Sequence, residues 1–287
     1  MATYLPTSGA LAMSCINSVF GGRGNNLNSY RGTTYYKSTG GAQTFSSGAI
    51  SFSCFYGTGP SANAYTYTVA SNQTNFCMRA GAVSAGWCQS VQLIVNINSG
   101  VIISSNGTGT PAMTIQGSFP GGVRINNSGV IVGKGGNGGN GGNVGGAGPT
   151  SGAAGGTALK ISSSVTFCNA SGVIAGGGGG GNGGAAAAFN PCCIVGSGGG
   201  GGGGRSSNFN SSGGSGGSGG APGSPGGAGT YSSAGAGGAG GSAYSSGSPG
   251  GSGGNWGTAS GGAGGKATCG ASLVTWTATG TRYGSVS

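Results

Sequence analysis

The side chains that most often move protons in enzymes are missing from this chain: its 287 residues include no Asp, no Glu and no His. General acid–base catalysis draws mainly on those residue types. Without them, neither a Ser–His–Asp arrangement nor a pair of carboxylates can be assembled. Eight cysteines (Cys15, Cys54, Cys77, Cys88, Cys168, Cys192, Cys193 and Cys269) could supply thiolates. They form no Cys-x-x-Cys pair and have no histidine partner, so a zinc site is unsupported. A chain of this length has no need of a disulfide framework, and the cysteines are read as free. Gly133-Lys134-Gly135 sits in a glycine-rich run but lacks the Lys-Ser or Lys-Thr ending of a phosphate-binding loop. These residues point away from an enzyme and call for no cofactor and no metal.

Charge is equally uninformative about a ligand. The ten cations, Arg23, Arg31, Lys37, Arg79, Arg124, Lys134, Lys160, Arg205, Lys266 and Arg282, are scattered singly and make no basic cluster. Nucleic acid is therefore not an expected partner. No stretch approaches the roughly 18 consecutive apolar residues of a membrane span. The first 14 residues lack a basic segment followed by an apolar core, so neither a secretory signal nor membrane insertion is expected.

The remaining candidates for chemistry are aromatic and aliphatic side chains set singly among glycines: Phe189, Ile194, Phe209, Tyr231, Tyr244 and Trp256. Aromatics contribute large contact area at low entropic cost. At chain reversals they either contact a ligand or cap the ends of whatever holds them. What holds them is a glycine-rich segment: 55 of the 77 glycines lie between residues 133 and 266. Such tracts are ordinarily flexible linkers. Here they carry a period of three, GGNGGNGGN over 135–143, GGSGGSGG over 213–220 and GAGGAGG over 235–241. Polyproline II has three residues per turn and no internal hydrogen bonds, so every backbone N–H and C=O must find a partner in a neighbouring helix. Close packing then demands glycine at inward positions and lets Asn, Ser or Ala face outward. Tracts are read at 133–148, 176–184, 196–204, 213–229, 235–241, 247–254 and 261–265, each connector reversing the chain. Collagen is excluded by the dominance of Gly-Gly-X and by only nine prolines.

A second pattern precedes the tracts. Ser-Gly-Val-Ile recurs at 99–102, 128–131 and 171–174, each time after an alternating apolar segment (91–97, 122–125 and 159–167) that reads as a strand. The repeated unit is strand, tight turn, strand, with a glycine tract following the later two copies. Residues 271–283 alternate again and are expected to return as a closing strand. Residues 1–98 are rich in β-branched and aromatic types, with strands expected at 50–56 and 64–69. The expected fold is all-β plus a polyglycine-II bundle with essentially no α-helix. Its divisions are 1–98 for attachment or oligomerisation, 99–132 for the repeat, 133–266 for the bundle and 267–287 for the closing strand.

Several segments carry a resemblance. Asn26-Leu27-Asn28-Ser29-Tyr30-Arg31-Gly32, with the run from Ser47 to Gly57, resembles a segment common in bacteriophage virion and tail proteins. The run SGVIVGKGGNGGNGG with its following tracts resembles the tail-fibre-tip adhesins of T-even-like phages, and residues 280–284 fit the same kind of protein. Related segments usually carry Asp before Phe-Tyr-Gly, where this chain has Cys54. The resemblance implies a polyglycine-II sandwich whose connector loops bind a protein or glycan receptor on the bacterial surface. It also implies a place in the virion, at a tail tip or fibre, and an N-terminal part that joins other tail subunits, with a homo-oligomer left open. Two alternatives from other classes stand beside it: a structural virion component without receptor contact, and a glycine-rich ice-binding protein.

Overall fold

The alternating apolar segments become short strands, but the tight turns between them are corners rather than hairpins. The computed structural model describes residues 4–37, 40–60, 64–87, 89 and 91–287; Cys88 lies outside them. A first face sets Ala64–Val69, Gln92–Ile97, Val123–Asn127, Val165–Cys168 and Val274–Ala278 side by side. A second face holds Gln73–Thr74, Ile102–Ser104, Val130–Val132, Val173–Ala175 and Thr281–Tyr283. A third holds Phe76–Cys77, Met113–Ile115, Leu159–Ile161 and Thr268–Cys269. All pairings within these faces are parallel. The chain therefore winds in coils, one strand per face, and each coil stacks on the last.

Inward residues repeat the same position from coil to coil. Leu93 aligns with Val123, and Val95 with Ile125. Ile103 aligns with Ile131, and Ile131 with Ile174. All are buried. Period-two alternation thus supplies a continuous apolar column, and burying it drives the stacking. At the corner between first and second faces, the buried Asn127 amide donates to Asn169 Oδ1 at 2.7 Å, and Asn169 donates onward to the Thr279 carbonyl at 2.9 Å. The glycine of the Ser-Gly-Val-Ile corner is needed for close approach: a Cβ on Gly129 would lie 2.5 Å from the Val101 carbonyl oxygen. Two expectations change here. The segment 159–167 is two strands on different faces, because a corner at 162–164 divides it. Residue 98 falls inside the stack, since Gln92–Ile97 pairs with strands on both sides of it.

Residues 4–59 form their own cluster around Leu5, Ile16, Phe20, Tyr30, Phe45 and Phe55. Helix α1 (Met13–Phe20) ends at Gly21, whose φ of 79° suits glycine. Thr34–Lys37 pairs antiparallel with Gly40–Thr44 and Thr58–Gly59. The strand expected over 50–56 is instead a 3₁₀ turn at Phe52–Phe55. The Ser51 carbonyl takes the Cys54 N–H locally, and only Phe55 is drawn into the aromatic cluster, leaving Phe52 exposed. With α2 (Met78–Ser84), two short α-helices interrupt the strands, coil and 3₁₀ turns of the described residues. Among the described residues no helix is long and apolar enough to cross a membrane.

The glycine-rich residues leave the stack twice, after Val130–Val132 and after Val173–Ala175, and return at Leu159–Ile161 and Thr268–Cys269. Both excursions use the corner between second and third faces, which residues 105–112 close directly in the coil before. The excursions comprise tracts at 133–142, 150–156, 176–184, 196–205, 212–217, 221–229, 235–241, 247–254 and 261–266, joined by backbone hydrogen bonds. The run 196–205 is enclosed by six others. It meets them through Gly201–Gly139, Gly202–Gly181, Gly201–Gly214, Gly200–Ser224, Gly200–Gly238 and Gly202–Gly251, all at 2.7–2.9 Å. With neighbours on every side no position from Gly198 to Gly204 can carry a side chain: a Cβ on Gly200, Gly201 or Gly202 would stand 2.0–2.1 Å from a carbonyl oxygen. The run 133–142 lies farther out and keeps a side chain at every third residue. The sequence expectation merged 133–148 and 213–229 into single tracts and passed over 150–156; these segments hold extra reversals.

Candidate functional site

Because the runs reverse the chain at their connectors, apart from 247–254 and 261–266, which both run antiparallel to 176–184, the bundle has two ends. At the base, loops 206–211, 230–234 and 255–260 meet the coils. At the far end lie loops 143–149, 185–195, 218–220 and 242–246. The six residues singled out from sequence divide between them.

Three sit at the base. Trp256 is 8% exposed and packs on Val132 and Ala175 of the second face. Its indole N–H donates to the Ser206 carbonyl at 3.0 Å. The Tyr231 ring meets it edge-on, with centroids 5.2 Å apart. Burial pushes the Tyr231 phenol up from its ordinary range, and the nearby Arg205 charge opposes this without cancelling it. Phe209 is partly exposed, but its loop is tied down where Ser207 Oγ donates to the Ser105 carbonyl at 2.6 Å. Trp256 and Tyr231 join bundle to coils, and the loop that carries Phe209 does so through Ser207. The expectation that Trp256 is an exposed contact is corrected: an aromatic at a reversal facing the stack has an apolar surface to bury against.

The other three share the far end. Phe189 and Ile194 are each 68% exposed and Tyr244 is 78% exposed. The Tyr244 backbone N–H donates to the Ile194 carbonyl at 3.2 Å, and Val195 bridges to Ser245. The Phe189 ring comes beside Gly145, where a Cβ would lie 3.7 Å from Cδ2. Ser218 donates its N–H to Asn143 Oδ1 at 2.7 Å, and Gly220 abuts Val144 and the Val195 carbonyl. The four loops therefore form one connected surface. Sequence reasoning missed two of them, 143–149 and 218–220. Their signals are Val144, which breaks the Gly-Gly-Asn period, and Pro222 after Gly219-Gly220, whose φ values are 83° and 64°.

No Lys or Arg falls in these loops. The thiols present are Cys192 and Cys193, in a turn where Asn190 Oδ1 accepts the Cys192 N–H at 3.0 Å. No grouping of three or more metal-ligating side chains occurs among the described residues. Such a surface can bind through shape, apolar contact and backbone or amide hydrogen bonds, and has no charge with which to form ion pairs.

Comparison with known proteins agrees with this geometry. A family model described as phage tail fibre adhesin Gp38 matches residues 64–287, beginning where the first coil begins. The crystal structure of the gp37–gp38 adhesin tip complex of the bacteriophage S16 long tail fibre is similar, at 22% identity and a TM-score of 0.52. The match covers 83% of this chain and 87% of that one. At that identity the likeness is one of fold. No curated protein matches significantly. Since the family model spans both the coil stack and the whole glycine-rich bundle, the chain belongs to the phage tail fibre adhesin Gp38 family.

Proposed function

We propose that this tail fibre adhesin grips its host-surface receptor with the four far-end loops, using Phe189, Ile194 and Tyr244 as principal contacts. One observation carries the reading: the three most exposed large apolar side chains among the described residues all lie at one end of one bundle. Exposed aromatics clustered on a rigid support are the usual makings of a binding hot spot. The tracts serve as polyglycine-II helices. Three-residue spacing of their inter-tract bonds, glycine on every enclosed side and the absence of helix or strand support that assignment. At about 3.1 Å per residue, a ten-residue tract holds the loops roughly 30 Å from the coils. Arg205, Tyr231 and Trp256 fasten the base.

The N-terminal residues 4–59, which precede the family match, serve as the attachment end. The S16 relative is seen in complex with a gp37 subunit at a fibre tip. By analogy this chain occupies the tip of a long tail fibre and docks on a gp37-like subunit. The test is to replace Phe189, Ile194 and Tyr244 together by alanine and measure phage adsorption to host cells. Adsorption lost with melting temperature kept supports the tip reading, and unchanged adsorption refutes it.

A further inference from the structure

One side-chain ladder in the bundle ends at the tip. Asn137, Asn140 and Asn143 each accept, on Oδ1, the backbone N–H of the residue 75 positions later. The donors are Ser212 at 3.0 Å, Ser215 at 3.1 Å and Ser218 at 2.7 Å. Each serine carbonyl in turn accepts from the residue after the asparagine: Gly138 and Gly141 at 2.9 Å and Val144 at 3.1 Å. The run 212–217 lies at the bundle's edge, and these three serine N–H groups meet no backbone carbonyl. Asparagine supplies the missing acceptor.

The rungs are not equivalent. Gly-Gly-Asn facing Gly-Gly-Ser repeats every three residues, so a slip of one turn in either direction re-forms the backbone bonds and two of the rungs. The pairing of Asn143 with Ser218 is the last rung, because Val144 ends one repeat and Gly219-Gly220 the other. That rung also joins the first residues of two tip loops, and the Ser218 hydroxyl adds a second contact to Asn143 Oδ1 at 3.3 Å.

We infer that Asn143 is a positioning residue for receptor binding: its amide oxygen sets where loop 218–220 sits against loops 143–149 and 185–195. The inference rests on the tip reading above. The test compares Asn143→Ala, Asn143→Asp and Asn137→Ala in the full chain, by hydrogen exchange at residues 218–220 and by binding of the purified protein to intact host cells. Loss of this rung in Asn143→Ala should speed exchange there and weaken cell binding, each by roughly tenfold. Asn137→Ala loses the same kind of bond at the base and should bind within about twofold of the parent. Asn143→Asp keeps the acceptor oxygen and should restore binding. Unchanged exchange at 218–220 in Asn143→Ala overturns the inference. So does equal loss of binding in Asn143→Ala and Asn137→Ala, which would make the ladder structural only. If Tyr244→Ala and Phe189→Ala leave binding intact while Asn143→Ala still frees the loop, the tip reading fails, and the receptor role of Asn143 falls with it.

Discussion

The guanidinium carbon of Arg205 lies 3.7 Å from the centre of the Trp256 ring, and Arg205 Nε donates to the Tyr231 carbonyl at 3.0 Å. In a chain without side-chain carboxylates, this cation is balanced by a π face and a carbonyl dipole. The contact ties three base loops together and presses them on the second face of the coils. Trp256→Ala should therefore lower stability by about 3–5 kcal/mol, read from denaturant unfolding. Receptor binding per folded molecule should be unchanged, because Trp256 is at the opposite end from the tip.

Glycine is required at some bundle positions and dispensable at others, and one pair of variants separates them. A Cβ on Gly201 would lie 2.1 Å from the Gly181 carbonyl oxygen, whereas a Cβ on Gly251 meets nothing nearer than 3.5 Å. Gly201→Ala should cost about 3 kcal/mol or more, as overpacking of a site that cannot shift. Gly251→Ala should instead stabilise the protein by about 0.4–1 kcal/mol, because it removes freedom from the unfolded chain alone. Thermal unfolding of the two variants checks both signs.

Stability should vary little with pH across the range in which most proteins acid-denature. Acid unfolding arises largely from carboxylates and histidines whose protonation differs between folded and unfolded states, and this chain has no such side chains. The thiols of Cys54 and Cys168, lowered by hydrogen bonding at Ser51 and Ala170, favour the folded state as pH rises through the thiol range. Above about pH 10 the direction is set by Tyr67 and Tyr231. Burial raises both phenols, helped at Tyr67 by the charge of Tyr65 and opposed at Tyr231 by Arg205. A raised folded-state value contributes stability that is fully present below the unfolded value of about 10 and is lost as pH rises through the folded one. Chemical denaturation at stepped pH should show a plateau from about pH 4 to 8 and a decline above about pH 10.

Receptor binding should be nearly independent of salt. The four tip loops carry no Lys or Arg, and ionic screening acts on charged pairs. Raising ionic strength from about 0.05 M to 0.5 M should change binding of the purified protein to host cells by less than about twofold. A steep fall would assign the contact to the cationic coil end.

Much of this molecule is a property of consecutive residues and could be read directly. The missing Asp, Glu and His bar the usual acid–base constellations. The three-residue glycine period announces runs whose backbones must bond to one another, and alternation around Ser-Gly-Val-Ile announces strands joined by tight turns. That successive strands stack in parallel was not legible, because their partners lie some 30–40 residues away and share no local mark. Strand Val123–Asn127, for example, pairs with Gln92–Ile97 on one side and Val165–Cys168 on the other.

The allocation of the six candidate residues to tip and base belonged to the tertiary structure alone, and the reason is parity. Each reversal inverts the chain's direction, so a single overlooked turn exchanges the ends of everything after it. With 213–229 counted as one tract, Tyr231 and Trp256 would share an end with Phe189, and Tyr244 would stand at the other. Within GGSGGSGG the turn at 218–220 leaves no mark, since Gly219 and Gly220 take positive φ without any change of residue type, and Pro222 just beyond is its one signal. Only the folded chain, in which Ser218 meets Asn143 and Ala221 meets Val195, distinguishes a tract from a turn made of the same residue.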